Sequence, residues 1–449
     1  MIYTLKKCVL TQLIKGRQMK IERNNYLNKL IERRQNGMVK VITGVRRCGK
    51  SFLLFELYYE YLVSQGVEDS KIIKISLDNN AFAKQRNPNE LAKYVEDRIN
   101  NKDQFFLLID EIQFCKKVPN PYLDGEFITF YDVLNGFLQR KNLDIYITGS
   151  NSKMLSSDIL TEFRGRGDEV RIFPLSFKEF YAAKGGDKNA ALNEYMLFGG
   201  LPLVLDRPSP ESKIAYLKQL FDETYFKDIV ERKHIEREDI LSNITDCLCS
   251  STGSLTNIHN LAATINSVQH NKKGSLVTDP TVKAYVNHLK DAFLFSEAKR
   301  YDVRGRQYFE SKVKFYCVDQ GLRNARLNMR QNEESHIMEN VIYNDLVQRG
   351  CSVDVGVVES FTKDSNDKTE RVVREIDFVV NSGNSQCYIQ SAFEMGTPEK
   401  QVAELKPFNI INNSFKKIVV TRNELMPWYD ENGIYHIGLI DFLLRDDAI

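Results

Sequence analysis

Eight consecutive residues, Gly44-Val45-Arg46-Arg47-Cys48-Gly49-Lys50-Ser51, fit the pattern G-x-x-x-x-G-K-[ST] without a mismatch. Glycines in such a loop let backbone N–H groups turn inward around phosphates. Lys50 meets the β and γ charges, Ser51 ligates magnesium, and Phe52 continues a helix whose N-terminus favours an anion. A second acidic element follows, in which the apolar run Phe105-Phe106-Leu107-Leu108-Ile109 ends in Asp110-Glu111. Asp110 at the strand tip reaches magnesium through water, and Glu111 polarises the attacking water, a role that binding alone would not need. A strand with a merely solvated acidic end is common, but beside a phosphate loop the pair predicts ATP bound with magnesium and hydrolysed.

Two further groups belong to the same chemistry. The run at 145–148 leads into Gly149-Ser150-Asn151-Ser152, where Ser150 or Asn151 would hold the water or a γ-phosphate oxygen; a polar turn is the plain alternative. Arg164 and Arg166 flank Gly165 on a loop before the next strand. A guanidinium delivered to a neighbour's γ-phosphate raises the rate by orders of magnitude, with Arg166 the first choice and a solvated basic loop the alternative.

These residues need a scaffold. Short apolar runs at 39–43 (broken by Lys40), 72–77, 105–109, 145–148 and 170–173 alternate with helix-length segments at 51–63, 90–99 and 131–139. That alternation predicts an α/β domain with a parallel sheet covered on both faces. After the helix-ending Gly199-Gly200-Leu201-Pro202 the spacing turns helical, as in a small lid. Helices at 257–267 and 281–292, then the turn Arg304-Gly305-Arg306 and a strand at 313–318, predict a winged helix. A helix at 337–349 and strands at 375–380, 387–393 and 417–421 predict a separate α/β unit, with 327–334 as linker and 362–370 as a hairpin tip.

The 449 residues carry 42% hydrophobic and 27% charged side chains, the composition of a multidomain globular protein and not of a disordered one. No apolar run is long enough to span a bilayer, and no signal peptide opens the chain, so the expected compartment is the cytoplasm with no membrane partner. The eight cysteines are scattered without zinc spacing and are expected to be reduced. Residues 1–18 are basic and weakly patterned, an extension ahead of Met19. A net charge of +2 decides nothing about polyanions, whereas residues 271–330 hold 13 basic against 6 acidic side chains. In the winged-helix reading Lys283 and Asn287 share one face of a recognition helix, and Arg304 and Arg306 form a wing tip suited to DNA phosphates. The bland alternative is a winged helix that only packs against its neighbours; His288, close by, is expected to be a surface histidine rather than a ligand.

The segments VITGVRRCGKS, LLIDEIQ, ITGSNS, FRGRGDEVRIFPLSFKEF and FGGLPLV resemble those of bacterial and archaeal ATP-binding proteins. That family joins an AAA-type ATPase domain to a winged helix and a C-terminal domain similar to PD-(D/E)xK nucleases. The resemblance spans nearly everything after Met19 and implies domains at 19–190 (ATPase), 191–239 (lid), 240–330 (winged helix) and 331–449 (nuclease-like). It further implies an AAA-like strand order with the phosphate-loop strand near the centre, Tyr26 and Leu27 near the adenine, and Arg166 acting between subunits of a ring or dimer. A working nuclease of that fold needs an acid on its first helix, an aspartate on a strand and Glu-x-Lys or Asp-x-Lys on the next. Glu339 and Asp377 fit, but the third position reads Gln390-Ser391-Ala392, and Glu394 and Lys400 lie in the wrong register. The expectation is therefore a magnesium-dependent ATPase acting as a DNA-binding switch or motor. A nucleotide-gated scaffold with a protein partner at the C-terminal domain is the alternative, and an ATP-regulated nuclease is the weaker third.

Overall fold

The computed structural model describes residues 20–149, 163, 165–269, 276–305, 307–330, 333–363, 369–383, 385–394, 396–424 and 426–449. The expected extension at 1–18 lies outside them. Five strands, β1 (Val39–Gly44), β2 (Ile72–Ser76), β3 (Phe105–Asp110), β4 (Leu143–Thr148) and β5 (Gly167–Ile172), form one parallel sheet in the order β2-β3-β4-β1-β5. Every residue of β1, β3 and β4 is buried, which is why these strands read as apolar runs rather than as alternations. Lys40 is tolerated inside β1 because its ammonium is paired with Asp144 of β4 and lies over the Tyr146 ring. The phosphate-loop strand has a neighbour on each side, as the resemblance implied.

Helices Lys188–Phe198, Pro202–Leu205 and Pro210–Gln219 follow, and a π-helical turn, Leu220–Phe226, runs on into Lys227–Lys233. Next come helix Glu238–Ser250, the short strand β6 (Leu255–Thr256), helices Ile258–Gln269 and Asp279–Asp291, and a hairpin of β7 (Phe295–Asp302) and β8 (Gln307–Cys317). Helix Glu334–Gln348 then leads to β9 (Ser352–Lys363), β10 (Thr369–Ser382), β11 (Ser385–Ala392), helix Pro398–Ile410, β12 (Lys416–Thr421), β13 (Trp428–Tyr429) and β14 (Tyr435–Gly438). Among the described residues no helix is long and apolar enough to cross a membrane. The seven cysteines described are free thiols.

The last α/β unit is not the separate body that the sequence suggested. Its strands and the hairpin make one nine-stranded sheet, β13-β14-β12-β11-β10-β9-β7-β8-β6, closed by parallel pairing of β7 with β9. Side chains continue the join: Tyr316 of β8 stacks on Tyr343 of helix Glu334–Gln348 with centroids 4.0 Å apart. The expected linker at 327–334 therefore does not separate two cores, since strands before and after it share the one sheet.

A tight joint connects this body to the ATPase sheet. The buried Asp319 carboxylate accepts from Gly200 N at 2.7 Å and from Leu322 N at 3.0 Å. A β-carbon on Gly200 would lie 2.2 Å from Leu175 O, and one on Gly321 2.0 Å from Phe198 O. Glycine at 199–200 thus permits close packing as well as ending a helix. Burial pushes the Asp319 carboxyl up to about 6, partly offset by its backbone donors.

A proton held more tightly in the folded chain stabilises it fully below the ordinary aspartate value of about 4, and that stabilisation is lost as pH rises through about 6. The stability difference between the wild type and Asp319→Asn should therefore shift by roughly 3 kcal/mol from pH 4 to pH 7, measured by urea unfolding. A pH-independent difference would show that Asp319 titrates normally.

Candidate functional site

The loop that leaves β1 is shaped by close approach. Gly44 has φ +135°, and a β-carbon there would lie 2.1 Å from Ile172 O on β5, so only glycine fits. Val45 and Cys48 turn their side chains into the core, so any part they take in binding is through the main chain. Gly49, at φ +100°, caps the helix that starts at Lys50. The Lys50 ammonium is buried and donates to Gly44 O at 2.9 Å and Val45 O at 3.0 Å, poised at the centre of the loop. Arg47 stands in the left-handed region at φ +63°. Arg46 pairs with Asp228 at 2.9 Å, and its carbonyl accepts from Tyr225 OH at 2.6 Å.

The carboxylates arrive from β3, one strand removed from β1. Asp110 is buried and hydrogen-bonded by Thr148 Oγ1 of the intervening β4 and by Ser51. Burial raises its pKa, the Thr148 and Ser51 bonds oppose the rise, and Glu111 and Asp78 add to it. Glu111 sits at φ +54°, unusual for a non-glycine residue, and its N–H donates to Thr148 Oγ1 at 3.1 Å. Gln113 Nε2 donates to its carboxylate. A cavity of about 560 Å³ opens between these groups, lined by Lys50, Ser51, Phe52, Asp78 and Glu111 among others, a volume suited to a nucleotide. Ser51, Asp78, Asp110 and Glu111 offer only oxygen donors, the set a magnesium ion takes.

Two of these residues escaped the sequence reading. Asp78 follows β2 as Asp110 ends β3, and Ser76 Oγ donates to it at 2.6 Å; an acid just past a neighbouring strand was the available signal. Thr148, buried at the end of β4, bonds to both the Asp110 carboxylate and the Glu111 N–H, a part the sequence reading gave to no residue. Ser150, Asn151 and Arg164 lie outside the described residues.

The expectation for Tyr26 and Leu27 needs correction. Tyr26 is buried behind the loop, its hydroxyl accepting from Phe173 N at 3.3 Å, and Leu27 packs into the same core. Neither lines the cavity; Ile21 and Arg23, one turn earlier, do. Arg23 donates to Cys48 O at 3.0 Å, Phe173 O at 2.7 Å and Glu179 at 3.0 Å.

Arg166 is exposed at the amino end of β5, where its carbonyl accepts from Val39 N at 2.9 Å. The phosphate loop lies at the other end of the sheet, roughly 17 Å along β1. An arginine side chain does not span that distance within one subunit.

Lys283 and Asn287 are exposed on helix Asp279–Asp291, which buries Val282, Val286 and Leu289 on its other side. His288 is not a surface histidine: it is half-buried beside Arg46, Asp228 and Lys233, where burial lowers its pKa. The hairpin is not a free wing either. Its β7 edge pairs with β9, its β8 edge pairs with β6, and the Arg304 guanidinium donates to Glu359 O at 3.1 Å. Arg306 lies outside the described residues.

A second cluster forms where nuclease-like residues were expected. Glu339 and Asp377 do come together, but Gln390 turns its amide to Glu404 at 3.0 Å. Between the acids sits Lys314 of β8, 2.9 Å from Glu339, 2.7 Å from Glu375 and 3.4 Å from Asp377. Burial and the nearby Asp377 push Glu339 up to about 7, against the pull of Lys314. The only hint of Lys314 in the sequence was a charge within the apolar run 313–318.

Comparison with known proteins agrees with the sheet and its loop. Residues 36–181 match a family described as "AAA domain", and residues 189–333 match a "Domain of unknown function" that spans helices and hairpin together. An uncharacterised protein of Methanocaldococcus jannaschii is 28% identical over 393 residues, covering 82% of this chain and 78% of its own. The Aeropyrum pernix ORC2 protein, solved as ADPNP–ADP complexes, overlaps 73% of this chain and 96% of its own at 11% identity and a TM-score of 0.39, too slight a likeness to carry an argument. An uncharacterised protein of Haemophilus influenzae is 32% identical over 434 residues, covering 95% of this chain and 99% of its own. The chain therefore belongs to the family of that Haemophilus influenzae protein, as a member that carries an AAA-type P-loop ATPase domain.

Proposed function

We propose that the protein is a magnesium-dependent ATP hydrolase that uses nucleotide state to set the arrangement of its helical and hairpin segments, and through them its hold on DNA. The observation that carries this reading is that Lys50, Ser51 and Glu111 line one cavity, with Asp110 buried just behind it on a hydrogen bond to Ser51 and Thr148 bonded to both acidic positions. Lys50 meets the β- and γ-phosphates when it leaves its own loop carbonyls. Ser51 and Asp110 hold magnesium, which neutralises charge developing on the phosphates. Glu111, kept in its strained backbone position by Thr148, orients the attacking water. Arg166 serves a neighbouring copy, so the functional unit is a ring or dimer. Free, mostly buried thiols fit a reducing cytoplasm.

The switch is supported by Arg46, which lines both the nucleotide cavity and a small cavity between helices Lys227–Lys233 and Asp279–Asp291. Its partner Asp228 lies on the first helix, and Lys233 of that helix reaches Asp291 of the second at 3.2 Å. A γ-phosphate competing for Arg46 would loosen that chain of ion pairs. DNA contact is assigned to the exposed Lys283 and Asn287 face. The paired hairpin edges favour a second reading, a nucleotide-gated scaffold that docks a protein partner and leaves DNA alone. Gln390 in the third acidic position argues against a nuclease.

Glu111→Gln should lower turnover by about 10²–10⁴-fold while retaining bound ATP, and Lys50→Ala should abolish it. Turnover equal to that of the wild type in both would refute the assignment. Arg166→Ala and Lys50→Ala subunits, each inactive alone, should regain activity when mixed, because one interface then holds an intact loop and an intact arginine; no recovery would remove the between-subunit role. Affinity for duplex DNA should fall steeply with salt, and Lys283→Ala should reduce the log–log salt slope by about one. Arg304→Ala should change it little, and salt-independent or absent binding would select the scaffold.

A further inference from the structure

Lys314 is an unusual lysine. Its side chain is 3% exposed, and it stands among three carboxylates drawn from two elements of the C-terminal body: Glu339 of helix Glu334–Gln348, and Glu375 and Asp377 of β10. The lysine itself comes from β8 of the hairpin. Glu339 shares one oxygen, Oε1, between the ammonium and a neighbouring hydroxyl, whereas Asp377 meets the ammonium with Oδ1 and a backbone donor with Oδ2. Tyr316, on the same face of β8, donates to Glu339 at 2.7 Å, and Ser391 N donates to Asp377 Oδ2 at 2.8 Å. The turn before β6 closes over the group: Gly253 N donates to Phe315 O at 3.0 Å, and a β-carbon on Gly253 would come within 3.3 Å of the Glu339 carboxylate.

Carboxylates crowded together repel one another, and those that are buried, Glu339 and Asp377, also lose hydration; a cation held among them, or a proton taken up by one of them, offsets that cost. A magnesium or manganese ion would do so with oxygen ligands at about 2.1 Å. Here the ammonium already lies within 3.4 Å of all three acids. A divalent ion in the same space would face both its charge and its bulk.

We propose that the Lys314 ammonium is the resident cation of this carboxylate site, standing where a divalent metal ion would otherwise bind, and that the site fastens the hairpin to the C-terminal body. The comparison with a metal centre rests on the nuclease-like reading of Glu339 and Asp377; the ATPase reading is not needed. The lysine that such a nuclease would use to position water is thus present in space, but it is spent on charge balance.

The test uses the full chain without nucleotide, with Mn²⁺ as the probe, in an Asp110→Asn background so that the phosphate-loop site takes little of it. Removing the ammonium with Lys314→Met should raise Mn²⁺ affinity at least about tenfold, read by electron paramagnetic resonance. The same ion should raise the Tm of that variant and leave the Lys314 protein unmoved, and adding Asp377→Asn should erase the gain. No gain of Mn²⁺ binding in a folded Lys314→Met protein would overturn the proposal, as would Asp377-dependent Mn²⁺ binding while Lys314 is present. Should Lys314→Met fail to fold, Asp377→Asn alone decides: the proposal expects a lower Tm with unchanged Mn²⁺ binding, and a metal centre expects Mn²⁺ binding to fall. ATP turnover is measured separately on the unsubstituted protein, and its absence would remove the ATPase reading without touching this one.

Discussion

The buried guanidinium of Arg23 ties together the parts on which the nucleotide cavity depends. It donates to Cys48 O in the phosphate loop, to Phe173 O just past β5 and to Glu179 on helix Phe177–Lys184. Glu179 also completes the cap of that helix, accepting from Ser176 N at 3.0 Å while Ser176 Oγ accepts from Glu179 N at 3.2 Å. A planar donor with bonds in fixed directions holds loop, strand end and helix in one relation, which a lysine would not do. The segments PLSF and GGLP then follow from one another. Leu175 N donates to Gly200 O at 2.7 Å, Gly200 N reaches Asp319, and the joint extends from the phosphate loop to the base of the hairpin.

The Arg46 contacts tie the phosphate loop to the helices on its other side. Arg46 belongs to the phosphate loop, yet its charge is balanced by Asp228 and its carbonyl by Tyr225, both on the stretch 220–233. A π-helical turn at Leu220–Phe226 brings Tyr225 to that carbonyl, and such turns often mark places where function has reshaped a helix. The Arg23 side of the loop has no such link, because its partners are strand ends and a capped helix. Phosphate charge entering the loop would thus be felt first on the Arg46 side, which is the side that leads to helix Asp279–Asp291.

What the sequence made legible was whatever is local. Strand runs, the loop at 44–51, the acids at 110–111 and the helices lie within a few residues of where the pattern put them, because period, capping and turn chemistry are properties of neighbouring residues. What it hid was pairing at a distance. Nothing near 295–302 announces that β7 accepts β9 as a parallel partner, so the hairpin looked like a free wing and the last unit looked separate. Tyr26 was assigned to the adenine by resemblance, and only its bond to Phe173 N shows it buried. Thr148's bonds to Asp110 and Glu111 were equally hidden, since a strand-end threonine has no special pattern. Lys314 was invisible as a partner of Glu339 and Asp377 because those acids lie 25 and 63 residues away and belong to other elements.

The joined sheet limits what the helix-and-hairpin unit can do with a nucleic acid. A wing enters a groove by its tip and edges, but here residues 300–302 of one edge pair with β9 and residues 313–314 of the other pair with β6, and exposing either stretch would leave donors and acceptors unpaired. Withdrawing β8 from the C-terminal body would also take the Lys314 ammonium away from the buried Glu339 and Asp377 and the part-exposed Glu375, at a cost in stability. Movement of the hairpin alone would break the β7–β9 pairing and the Lys314 ion pairs together. In the proposed switch, a nucleotide signal passing through Arg46 would move helix Asp279–Asp291 against the hairpin, or carry hairpin and C-terminal body together, and in either case the exposed face bearing Lys283 and Asn287 would change position.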